Sequence, residues 1–308
     1  MNSSPLPTVS VVIPCYNVEN DLPHQLEALV PQLGPEDEVV LVDNRSTDGT
    51  AELLRALAEQ DPRLRGVPAM DKPGVNHARN CGVLAARHRT ILICDADDRV
   101  HPGWVDAFRV ALVTDGLAGG VAVPVDQSGE RIGPDLGLTE IFGGPAYALG
   151  GNMGLTREVF DAVGGFDESF IGGHDEADFA WRAAEAGWTA RLVPGARLDY
   201  VQRPTPAGAV RQRRNYARTS IQLWAHHPHI AESTAVSFSG AVRRLARTLP
   251  AGARVARGSA SLHDASEWGW AVGLVEGHLR YRILGSPPVR VLPAIPSDGG
   301  PAEGPVAG

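Results

Sequence analysis

The chain has 308 residues, a formal net charge of −8 and 43% hydrophobic residues. That composition is globular, with enough chain to bury a sizeable core, so wholesale disorder is excluded. A pI near 5.7 also argues against a nucleic-acid partner, which would need a basic face to displace counterions.

No window reaches the roughly 18 consecutive apolar residues of a membrane-spanning helix. The start, Met1-Asn-Ser-Ser-Pro-Leu-Pro7, has neither a basic nor an apolar stretch, so no signal peptide is expected. Cys15, Cys81 and Cys94 show no CxxC spacing. That predicts reduced thiols in a cytoplasmic protein, with no disulfide framework or zinc site.

Along the chain, residues 9–13, 38–42 and 90–94 are continuous apolar, β-branched runs. Such runs suit parallel strands covered on both faces. Helical patterns lie between and after them at 48–60, capped by Ser46 or Asp48, at 76–87 and at 104–113. The alternation predicts an α/β fold whose mostly parallel sheet is flanked by helices. Sheets of this kind bind ligands at the carboxyl ends of their strands. Those ends here carry Tyr16-Asn17, Asp43-Asn44 and Asp95-Ala-Asp-Asp98.

Residues 126–202 hold paired glycines at 143–144, 150–151, 164–165 and 172–173, which permit close approach to a ligand or simply mark turns. Helices are expected at 156–163 and 178–186, and a strand at 190–193. From Pro206 to about Arg282 the pattern is helical. Between 203 and 290 thirteen arginines stand against four acids, whereas the first 202 residues are acidic. Residues 286–308, rich in Pro, Gly and Ala, read as an unstructured tail.

Four groups of residues carry chemistry. Asp95, Asp97 and Asp98 would repel one another, and a divalent cation with oxygen ligands, Mg²⁺ or Mn²⁺, relieves that; the plainer alternative is a helix cap. Asp43 can accept hydrogen bonds from a base or ribose, or merely build the turn. Arg79, opening a helix, can pair with a diphosphate or lie in solvent. Asp175 and Glu176 exceed what helix capping needs, and a carboxylate there could take a proton from an acceptor hydroxyl.

These residues resemble glycosyltransferase family 2. The resemblance runs through Val9-Ser-Val-Val-Ile-Pro-Cys-Tyr-Asn17, Val42-Asp-Asn-Arg-Ser-Thr-Asp-Gly-Thr50, Ala78-Arg-Asn80, Asp95-Ala-Asp-Asp98, Gly164-Gly-Phe-Asp167 and Asp175-Glu176. It implies a GT-A fold and inverting transfer of a sugar from a nucleoside diphosphate sugar to an acceptor hydroxyl on a glycan, a lipid-linked molecule or a small molecule. It implies donor binding by Pro14, Tyr16, Asn17, Glu19, Asp43, Arg79, Asp95 and Ala96. The divalent metal, Mn²⁺ or Mg²⁺, falls to Asp97 with Asp95 second, and the acceptor to Asn152, Asp178 and Trp181. Glu176 is the expected base, with Asp175 shaping the acceptor pocket.

The implied division is a catalytic domain over 1–205, with a nucleotide-binding half 1–100 and an acceptor half 101–205. A helical extension over 206–285 and the tail follow. Asp175-Glu176 replaces the family's usual Glu-Asp order, and Arg197-Leu-Asp-Tyr-Val-Gln-Arg203 lacks the histidine many members carry there. His226, His227 and His229 stand as substitutes for that third metal ligand.

A dinucleotide-binding oxidoreductase is excluded because the first turn, Pro14-Cys-Tyr-Asn-Val-Glu19, lacks GxGxxG. The same turn lacks the glycine-rich basic loop of a nucleotidylyltransferase. A non-catalytic nucleotide-sugar or glycan-binding module is the alternative from another class. Peripheral contact with the inner face of a membrane and a homodimer through the C-terminal helices stay open. Arginines simply solvated or facing the acidic half are the plainer reading.

Overall fold

The computed structural model describes residues 6–202, 205–231 and 236–295. In chain order the elements are β1 (Val9–Cys15), α1 (Leu22–Leu29), β2 (Glu38–Asp43), α2 (Thr50–Gln60), β3 (Leu64–Pro68), α3 (Val75–Ala85) and β4 (Thr90–Cys94). Next come β5 (Arg99–Val100), α4 (Trp104–Ala111), β6 (Leu117–Val125), β7 (Asn152–Thr156), α5 (Arg157–Val163), α6 (Asp175–Glu185) and β8 (Arg191–Val201). The C-terminal helices are α7 (Pro206–His226), α8 (Pro228–Ala231), α9 (Phe238–Ala256) and α10 (Leu262–His278).

The strands form one sheet in the order β3-β2-β1-β4-β7-β6-β8-β5. β3, β2, β1 and β4 run parallel, as does β6 with β8, while β7 runs antiparallel to both its neighbours and β5 antiparallel to β8. The runs predicted as two-sided strands are buried without a break from Val39 to Val42 and from Ile91 to Cys94. From β1 the chain builds outward through β2 and β3, then returns to place β4 on the other side of β1. That reversal opens a crevice beyond the carboxyl ends of β1 and β4. Pro14-Cys-Tyr16 and Asp95-Ala-Asp-Asp98 meet there.

Several elements differ from expectation. β3, β6 and β7 have no clear signal in the sequence. In β6 the pair Gly119-Gly120 and Pro124 read as breakers, yet a Cβ at Gly120 would strike the Ala196 carbonyl and the Asn152 amide, so the glycines serve close packing. The strand expected at 190–193 continues to Val201 along β6. α2 starts after Gly49, not at Ser46 or Asp48; Asp48 Oδ1 instead accepts the Thr50 amide at 3.1 Å. α6 begins three residues earlier than predicted, at Asp175.

The expected unstructured tail is corrected over 286–295. The Val291 carbonyl accepts the Glu168 amide at 2.9 Å, its amide donates to the Asp167 carboxylate at 3.0 Å, and Arg290 donates to Asp178 Oδ1 at 2.6 Å. Residues 296–308 lie outside the described residues.

The C-terminal helices pack as a layer through Ala217, Ile221, Trp224, Ala241, Leu274 and Tyr281. Gly269, Gly273 and Gly277, one helical turn apart on α10, lie against the backbone of α7 at Val210, Arg214 and Arg218. Arginines there are mostly occupied: Arg214 and Arg218 with Glu276, Arg244 with Glu267, Arg254 with Asp264. Arg213 and Arg282 stack on Trp270 and Trp224, and Trp268 fills the space above Gly252. Among the described residues no helix is long and apolar enough to cross a membrane.

A leucine at Gly273 would meet backbone atoms of α7 that no rotamer change can clear. Gly273→Leu is therefore expected to destabilise the protein by about 1–3 kcal/mol. A denaturant midpoint equal to wild type would contradict this packing.

Candidate active site

Two cavities meet at the end of β4. The larger, about 780 Å³, lies beyond β1 and is lined by Pro14, Tyr16, Asn44, Gly74, Ala96 and Asp97 among others. The second, about 590 Å³, lies between the start of α6, the end of β8 and α7. Asp95 and Val75 line both.

The floor of the first cavity is a web of side chains holding backbone amides. Asn17 has a left-handed backbone (φ 54°), and its Oδ1 accepts the Thr47 amide at 2.7 Å. Glu19 Oε2 accepts the Gly49 amide at 3.0 Å, and Asp43 Oδ1 the Ser46 amide at 3.1 Å. Asn44 donates to the carbonyls of Ala69 (2.6 Å) and Lys72 (2.8 Å) and accepts the Gly74 amide at 2.8 Å. A carboxylate has no hydrogen to give the two carbonyls, which accounts for the amide at this position. Of the expected donor residues, Pro14, Tyr16, Asp95 and Ala96 therefore face the cavity, while Asn17, Glu19 and Asp43 build its frame.

Beyond Asp95 lies a group of opposed charges. Arg79 is 3% exposed and its Nη1 donates to Asp175 Oδ2 at 2.9 Å. Glu176 Oε1 lies 3.5 Å from the same nitrogen, and Asp95 Oδ1 3.6 Å from Nη2. The guanidinium is thus held by three carboxylates and lines the second cavity, not the first. Gly150 and Gly151 make the cluster sterically feasible. A Cβ at Gly150 would strike Glu176 and the Arg79 guanidinium, and one at Gly151 the Asp95 carboxylate.

The two acids of α6 are not equivalent. Asp175 is buried, and burial together with the neighbouring Glu176 charge pushes its carboxyl well above the usual range, against the pull of Arg79. Glu176 keeps 20% of its side chain exposed at the cavity wall. Asp98 is also buried, accepting the Val201 amide at 3.1 Å. Burial and the charges of Asp95 and Asp97 push its carboxyl well above the ordinary value. Asp97 is exposed on the first cavity.

Besides Asp95 and Glu176, the second cavity uses residues that carry no motif. Tyr200 comes from the unexpected extension of β8, and Gly208, Arg211, Gln212, Asn215 and Tyr216 from one face of α7. Burial pushes the Tyr216 phenol up to about 12, so its hydroxyl remains a hydrogen-bond donor. The recurrence of 208, 212 and 216 at one-turn spacing was the available signal for this face.

The residues expected on the acceptor side lie mostly out of reach of the second cavity. Trp181 is fully buried, with its indole N–H on the Pro145 carbonyl at 3.0 Å. Asp178 is fully buried and receives Arg182 at 2.8 Å, Arg290 at 2.6 Å and His227 at 2.9 Å. Burial opposes its ionisation, but the His227 bond and the arginine charges prevail and hold its carboxyl well below the usual range. Asn152 is 1% exposed and accepts the Trp104 indole N–H at 2.8 Å; it touches only a small side chamber of about 100 Å³ beside Asp95 and Glu176. His227, one of the histidines weighed as a third metal ligand, pairs with Asp178 on the buried flank of α6.

Residues 10–164 match the Glycosyl transferase family 2 model, and residues 90–256 the model of Glycosyl transferase family group 2. Succinoglycan biosynthesis protein ExoA of Rhizobium meliloti is 31% identical over 228 residues, 66% of this chain and 66% of that protein. ExoO of the same organism is 36% identical over 122 residues, 40% of this chain and 33% of its own length. The chain thus spans just under two thirds of one of these relatives and a third of the other. Among solved structures, a mannosyltransferase from Pyrobaculum calidifontis in complex with GDP-Man and Mn²⁺ superposes with a TM-score of 0.61 at 22% identity, covering 90% of this chain and 87% of that one. S. aureus TarS in complex with UDP-GlcNAc gives 0.54 at 16% identity, covering 88% and 91%. At such identities these likenesses concern the fold.

Proposed function

The chain belongs to glycosyl transferase family 2, with its GT-A fold, and we propose that it moves a sugar from a nucleoside diphosphate sugar to an acceptor hydroxyl with inversion. The observation that carries this reading is the shared wall: Asp95 and Val75 face both cavities, and Glu176 stands on the far side. A nucleotide in the cavity of Pro14, Tyr16 and Ala96 would present its sugar at Asp95. An acceptor in the cavity of Tyr200, Gln212 and Tyr216 would bring its hydroxyl to Glu176. The two reactants are then held face to face, which removes most of the entropic cost of their encounter. A partly exposed carboxylate on the acceptor side suits direct displacement, with Glu176 taking the hydroxyl proton as the glycosidic bond forms and the bond to the nucleoside diphosphate breaks. GDP-Man and UDP-GlcNAc in the two solved structures support a donor of this class.

Asp95 and Asp97 offer only oxygen ligands, crowded by Asp98, and that donor set fits a hard divalent cation such as Mn²⁺ or Mg²⁺. When bound, the ion would offset the charge of the diphosphate. The experiment is calorimetry of donor binding. Asp97→Asn is expected to abolish the metal-dependent part of the affinity, because a diphosphate beside unneutralised carboxylates is repelled. Full-affinity binding in chelator would contradict the assignment.

A further inference from the structure

We propose that Glu185, His227 and His229 form a binding site for a divalent transition metal of the zinc class, separate from the carboxylates of the catalytic cavity. Pro228 ends α7 at His227 and starts α8, so this corner places His227 and His229 beside Glu185, the last residue of α6. The His227 ring is 2% exposed, packed edge-on to Trp181 with centroids 5.2 Å apart. Its Nε2 lies 2.9 Å from Asp178 Oδ1. Arg290 donates to the same oxygen at 2.6 Å, with its second nitrogen 3.1 Å from Nε2.

Asp178 and Arg290 both engage Nε2 on the side of α6. Nδ1 is the nitrogen turned toward Glu185 Oε1, 3.5 Å away. A cation between these two atoms would bind both. His229 Nε2 lies 3.4 Å from the same Oε1, and all three ligand atoms fall within 4.8 Å of one another. Zinc bonds of about 2.1 Å at tetrahedral angles put ligand atoms about 3.4 Å apart, so two edges of that tetrahedron are already in place.

A carboxylate on the far nitrogen of a ligating histidine fixes its tautomer and raises its basicity, and Asp178 stands in that position. Glu185 and His229 are half or more exposed, which leaves a path for the ion and room for a water as fourth ligand. Imidazole donors select Zn²⁺, Co²⁺ or Ni²⁺, whereas the all-oxygen aspartates suit Mn²⁺ or Mg²⁺, so donor chemistry separates the two sites. Glu185 is nine residues along α6 from Glu176, about 14 Å of helix. An ion here would clamp the far end of the helix that carries the catalytic acids to the corner that ends α7.

The test is titration of the chelator-treated full chain with Co²⁺ in excess Mg²⁺, followed by displacement with Zn²⁺. One equivalent of Co²⁺ with tetrahedral visible absorption is expected, retained in Asp97→Asn. Glu185→Gln and His229→Ala, both surface changes, should weaken Zn²⁺ binding by at least about 10-fold and remove the Zn²⁺-dependent rise in melting temperature. Absence of the absorption, equal binding by wild type and both variants, or loss in Asp97→Asn would each overturn the site.

Discussion

Glu176→Gln is expected to lower turnover by roughly 10²–10⁴-fold while donor affinity stays near wild type. Glutamine keeps the size and polarity of the side chain but cannot take a proton. The two neighbouring acids differ in burial and partners. Asp175 is buried and its Oδ2 is engaged by Arg79 at 2.9 Å, so it is poorly placed to take a proton from an acceptor. Glu176 faces the cavity and has the reach. Asp175→Asn should instead act on acceptor affinity and stability, through a loosened Arg79. Steady-state kinetics at saturating donor decides between them: a near-normal Glu176→Gln beside an inactive Asp175→Asn reverses the assignment.

Arg79→Met is expected to cost about 3–5 kcal/mol of stability, the largest loss among the substitutions considered. The arginine is the shared counter-charge of Asp95, Asp175 and Glu176, and it is almost wholly buried. Methionine fills much of its volume but leaves Asp175 buried with no positive partner. Arg79→Lys should recover part of the loss, because a single ammonium cannot serve three carboxylates in the geometry of a guanidinium. Denaturant unfolding measures this directly. A stability equal to wild type would mean that water, and not Arg79, balances the cluster.

The first half of the site was legible because its chemistry sits where β-branched strands end. Val9 to Tyr16 and Thr90 to Asp98 each announce a buried strand and the polar residues after it. The second cavity was not. Tyr200 depends on β8 running eight residues past its predicted end, since Pro194 and Gly195 read as a stop. The α7 face of Gly208, Gln212 and Tyr216 has helical spacing but no residue type that declares a ligand. Asp178 and Trp181 show the converse case, a buried placement. Motif and helix pattern placed them on α6, but periodicity does not say which face meets the core. Asp178 is fixed by Arg290, 112 residues away, a partner visible only in three dimensions. The arginine excess after residue 203 likewise gave no hint that Glu276, Glu267, Asp264 and two tryptophans engage six of those arginines.

The central claim is that donor and acceptor meet across Asp95. A crystal structure of the protein with Mn²⁺ and the nucleoside diphosphate that most raises its melting temperature tests this most directly. The account predicts the base and ribose in the cavity of Pro14, Tyr16 and Asn44, the diphosphate and ion at Asp97 and Asp95, and an open cavity between Glu176 and Tyr216. A nucleotide lodged against α7, with Pro14 and Tyr16 untouched, would contradict it.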